Sequence, residues 1–144
     1  MKIQQISLFA ENKPGHIAAP TRLLAQEGID IRALYLADSE EYGILRMIVT
    51  DWQKAAQLLE AHGFVVKVTE VLAVEVDDRP GGLADVLEAL DGTAGINIEY
   101  MYAFPNLSRD QAILIFRFAD LDAAIEHLQA AGINLLTSEE LLKK

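Results

Sequence analysis

Apolar and polar residues first alternate and then recur at helical spacing, in an order that the chain runs through twice. Ile6, Leu8 and Ala10 alternate with more polar neighbours, which predicts a strand over residues 2–10 with one buried face. A polar corner follows, Asn12-Lys13-Pro14-Gly15-His16. Ile17, Thr21, Leu23 and Leu24 then recur at helical spacing until Gly28 stops the helix. Pro20 falls at or just past the first turn, where its missing N–H matters little at one position and costs about 3 kcal/mol a few positions later. Ile29-Asp30-Ile31 leads into a second strand through Tyr35 and Ala37. The cluster Asp38-Ser39-Glu40-Glu41 supplies a turn, and residues 43–50 read as a third strand. Trp52, Ala55, Ala56 and Leu59 fall at i, i+3, i+4 and i+7, the buried stripe of a helix over residues 51–62 that Gly63 ends. Residues 64–69 close the unit as a fourth strand, giving the order βαββαβ.

The second half repeats that order. Asp78-Arg79-Pro80-Gly81-Gly82 stands 66 positions beyond the first corner, and Gly28-Ile29-Asp30-Ile31 meets Gly95-Ile96-Asn97-Ile98 at an offset of 67. Asp51 meets Asp120 at an offset of 69, where Trp52, Ala55, Ala56 and Leu59 become Leu121, Ala124, Ile125 and Leu128. Gly63 becomes Gly132. The two extra positions fall in the turn Pro105-Asn106-Leu107-Ser108-Arg109-Asp110, where an insertion costs little. Residues 67–71 hold no run of Gly, Pro or Ser, so the linker is short and the domains are expected at 1–69 and 70–144. Thr137-Ser138-Glu139-Glu140, followed by Leu141 and Leu142, has the spacing of a capping box and predicts a short terminal helix. The expected class is α+β: two ferredoxin-like units in tandem, each an antiparallel sheet with two helices on one face.

The two corners carry the candidate chemistry. Proline presets φ for a first helical turn, the adjacent glycine lets another group approach the backbone, and the unpaired N–H groups carry the positive end of the helix dipole. Such a corner can receive a small carboxylate. Lys13 and Arg79 match between the halves and could draw that anion in; the plain alternative is that both are solvated and that the corners merely begin helices. Asp30 and Asn97 are either ligand contacts or turn residues between a helix stop and a strand. Tyr35 and Tyr102 correspond and read as packing or interface residues. The three histidines share no metal-ligand spacing, and no Ser/His/Asp order, phosphate-binding glycine loop or supported carboxylate pair emerges. Neither catalytic residues nor a metal or other cofactor is expected.

Composition narrows the partners. A net charge of −10 opposes the phosphate backbone, so neither nucleic acid nor an anionic membrane is an expected partner. The chain lacks cysteine and begins without the long apolar run of a signal peptide, which together point to a cytoplasmic protein.

Taken together, the corner, the Gly-Ile-Asx-Ile strand entry and the βαββαβ order resemble the ACT domain, and the absence of a further domain resembles the stand-alone tandem ACT proteins. The units are similar to the regulatory domain of serine-inhibited 3-phosphoglycerate dehydrogenase, through Glu11-Asn12-Lys13-Pro14-Gly15 and Gln26-Glu27-Gly28-Ile29-Asp30-Ile31. The resemblance implies an amino-acid-binding regulatory protein with its ligand held at the interface between ACT units. The loop asparagine of that family falls on Asn12 and Asp78, and its strand asparagine on Asp30 and Asn97. A histidine two residues before the loop asparagine falls on Ala10 and Val76, which puts serine in doubt as the ligand. The expected site comprises Asn12, Lys13, Pro14, Gly15, His16, Ile17 and Asp30, with Asp78, Arg79, Pro80, Gly81, Gly82, Leu83 and Asn97. A homodimer is expected, with a metabolic enzyme as a possible partner. The alternatives are a small enzyme on a ferredoxin-like scaffold and a pure interaction module.

Overall fold

A computed structural model describes residues 1–11, 13–38, 42–90, 96–106 and 110–142. Its elements are β1 (Ile3–Glu11), α1 (Ala18–Gln26), β2 (Ile31–Asp38), β3 (Tyr42–Val49), α2 (Trp52–Ala61), β4 (Val65–Asp77), α3 (Gly82–Leu90), β5 (Ile98–Asn106), β6 (Gln111–Phe118), α4 (Leu121–Ala130), β7 (Leu135–Leu136) and α5 (Ser138–Leu142). The chain divides into one unit of Gln4–Thr69 and another of Met1–Ile3 with Glu70–Lys144. The fold is α+β, as in tandem ferredoxin-like units.

In the first unit β3 lies between β1 and β2 and is antiparallel to both, and β4 neighbours β1 on its other side. Alternation decides which face is covered: Ile6 and Leu8 of β1 and Leu45, Met47 and Val49 of β3 join Leu24 of α1 and Ala55, Ala56 and Leu59 of α2 in one buried cluster. Both helices therefore occupy the same face. The second unit repeats the plan, with β6 antiparallel to β4 and β5, and the two-residue β7 pairing with β4. Leu72, Val74 and Val76 meet Leu114, Phe116 and Phe118 under Val86 and Leu90 of α3 and Ala124 and Leu128 of α4. The Phe116 and Phe118 rings stack with centroids 5.3 Å apart.

Local signals account for most boundaries. Asp51 and Asp120, matched in the repeat, are helix caps: their Oδ1 atoms accept from the N–H groups of Lys54 (3.2 Å) and Ala123 (3.1 Å). Helices α1, α2 and α4 end in the same way, the N–H groups of Ile29, Phe64 and Ile133 reaching back to the carbonyls of Leu24, Leu59 and Leu128. Pro20 is the third residue of α1, among the positions whose N–H has no intrahelical partner, so the helix tolerates it. Thr137 and Glu140 exchange capping contacts of 3.2 Å in each direction, and Leu141 of α5 is buried.

Two boundaries differ from expectation. The first helix begins at Ala18, a full turn after Pro14, because residues 13–17 form a separate turn. The strand expected to end at residue 69 continues to Asp77, since the chain from Val65 onward has no Gly, Pro or turn-forming Asx until Asp77. Among the described residues no helix is long and apolar enough to cross a membrane.

Candidate functional site

Each corner joins the end of a strand to the start of a helix. At the first, Lys13 donates its N–H to Glu11 O (2.9 Å), His16 donates to Lys13 O (3.3 Å) and Ala19 donates to Gly15 O (3.1 Å). Gly15 has φ +86°, a conformation other residues adopt at a cost. Lys13, Pro14 and Gly15 are exposed, while His16 is half-buried and Ile17 packs against the core. Lys13 Nζ lies 3.4 Å from Glu11 Oε2, so this cation already has an anion beside it. Asn12 lies outside the described residues.

The second corner is also held by backbone hydrogen bonds. Arg79 donates its N–H to Asp77 O, Gly82 donates to Arg79 O and Asp85 donates to Gly81 O, all within 3.0 Å, and Asp78 donates across to Asp110 O at 3.1 Å. At Gly82, the second glycine of the corner, the protein's own backbone comes close: a Cβ there would lie 2.1 Å from the Asp77 carbonyl oxygen. Gly82 is buried, while Asp78, Arg79, Pro80, Gly81 and Leu83 are exposed. The Arg79 guanidinium bonds Asp85 Oδ2 through Nη2 at 2.7 Å, and its Nε lies 3.5 Å from Asp77 Oδ2. Asp85 first, by hydrogen bond and charge, and then Asp77 hold the Arg79 pKa above its usual value.

Beside this corner lies a cavity of about 250 Å³, bounded by the end of β4, the start of α3, the start of β6 and the loop before β7. Glu75 is one of its polar lining residues. The Asn134 amide donates to Glu75 Oε1 at 3.3 Å, and the Gln111 amide, oriented with its nitrogen toward the carboxylate, donates to both oxygens at 2.9 and 3.2 Å. The Glu75 N–H donates in turn to Asn134 O. Glu75, Gln111 and Asn134 were not anticipated, although pairing the halves contains the signal. At offsets of 66, 69 and 69 their counterparts are Phe9, Tyr42 and Val65, which are 38%, 56% and 64% exposed. One unit presents a hydrogen-bonded acid where the other presents apolar surface.

Asp30 and Asn97 are not brought to the corners of their own units. The carbonyl of Asp30 accepts from Thr50 N–H, and that of Asn97 from Ala119 N–H, at the far ends of β3 and β6. The first corner adjoins the other end of β3, where Glu11 pairs with Tyr42 and Ala10 with Gly43. Six residue steps of about 3.3 Å separate Gly43 from Val49, roughly 20 Å. Asp30 is exposed and lies 3.5 Å from Arg32 Nε. The histidines of α2 and α4 serve their helices: His62 and His127 each donate from Nδ1 to the carbonyl four residues back, at 2.9 and 2.8 Å. Tyr102 is buried and Tyr35 half-buried. Among the described residues no group of three or more His, Asp or Glu side chains is placed to hold a metal ion.

The sequence model of the ACT domain pair matches residues 1–144, the whole chain. The chain belongs to the ACT domain pair family. A crystal structure of protein BT0572 from Bacteroides thetaiotaomicron is similar to this ACT pair at 38% identity and a TM-score of 0.93, over 100% of this chain and 98% of that one. The ligand-free regulatory subunit of aspartate kinase from Thermus thermophilus shares the fold at 22% identity and a TM-score of 0.64, over 89% of this chain and 91% of that one. The corresponding subunit from Thermus flavus does so at 20% identity and a TM-score of 0.60, over 90% and 92%. None of the curated proteins matches the chain.

Proposed function

We propose that this ACT pair is a cytoplasmic, non-catalytic amino-acid sensor that works as a homodimer and passes its state to a metabolic enzyme. The observation that carries the reading is the family match over the whole chain, and the helix-start corners supply its chemistry. The ligand's carboxylate lies against the first turn after Gly15 or Gly81, where the helix dipole contributes about 0.3–1 kcal/mol when exposed and up to about 2 when partly buried. Its ammonium is met by Asp78 at the second corner. At the first corner Asp30 of the same unit is too distant, so in this reading the aspartate comes from a second copy of the chain. Lys13 and Arg79, each already beside its own carboxylates, shape the rim and leave the anion to the backbone.

A thermal-shift screen of the twenty amino acids and common keto acids identifies the ligand, and calorimetry on Asp78→Ala and Asp30→Ala tests its placement. The expected result is a loss of about 1.5–3 kcal/mol in one of the two variants, the worth of a hydrogen bond to a charged group. A ligand that binds both variants with parental affinity, or a screen with no hit, overturns the reading.

A further inference from the structure

We draw no further inference here: the strongest candidate, the cavity of about 250 Å³ between the end of β4, the start of α3 and the loop before β7, where Glu75 is held by Gln111 and Asn134, adjoins the second corner and belongs to the site already described.

Discussion

The contact between Gly82 and the Asp77 carbonyl makes Gly82→Ala a sharp perturbation. The added methyl would lie 2.1 Å from that oxygen and 3.2 Å from its carbon, and both atoms are backbone, so no side chain can swing away. Relief requires the first turn of α3 and the end of β4 to part by about 1 Å. Forced overpacking of this kind costs about 1–3 kcal/mol. The bonds of the turn between the two elements, Gly82 N–H to Arg79 O at 3.0 Å and Asp78 N–H to Asp110 O at 3.1 Å, would stretch, at about 0.5–1.5 kcal/mol for each one lost. Alanine regains at most about 1 kcal/mol through its helix preference. The net expectation is a destabilisation of about 3 kcal/mol, large for a single methyl group. The control is His16→Ala at the matching position of the first unit, expected to change stability by less than about 1 kcal/mol. Urea unfolding followed by far-UV circular dichroism gives both values, and hydrogen exchange should show faster exchange in the first turn of α3. A Gly82→Ala loss below about 1 kcal/mol, with unchanged exchange there, would refute the argument that helix and strand are locked by this approach.

Leu59 is fully buried in the cluster shared by α1, α2 and the first sheet, so Leu59→Ala should cost about 2–5 kcal/mol in the same unfolding assay. Asp120→Ala removes the acceptor for Ala123 N–H and should cost about 1 kcal/mol, as should Asp51→Ala in α2; stability equal to the parent in both would contradict their role as caps.

The fold was legible because each unit states it through two periods, alternate residues in the strands and i, i+3, i+4 in the helices, and then states it again. Trp52, Ala55, Ala56 and Leu59 with their counterparts mark helices whatever the surroundings. Less legible were features that depend on what backbone does in space. A glycine in a corner announces room for a close approach without saying where or by what, and at Gly82, one residue beyond the glycine that follows Pro80, it is the Asp77 carbonyl that comes close. A strand without breakers does not say where one unit hands over to the next, so β4 ran on through residue 69. Asp30 and the first corner belong to one repeat pattern, yet the antiparallel path of β3 puts them at opposite ends. Glu75, Gln111 and Asn134 come from three separate segments, and only the comparison with Phe9, Tyr42 and Val65 shows that the units differ there.

The separation of Asp30 from Gly15 also bears on dose response. Under the proposed function a ligand that needs both groups is clasped by two chains, so wherever the chains are still monomers its uptake is second order in protein as well as first order in ligand. By mass action, such a ligand tightens the dimer by the same factor by which dimerisation tightens the ligand. Diluting the protein would raise the concentration of amino acid needed for half-saturation, and a cell could retune the threshold simply by changing how much of the chain it makes.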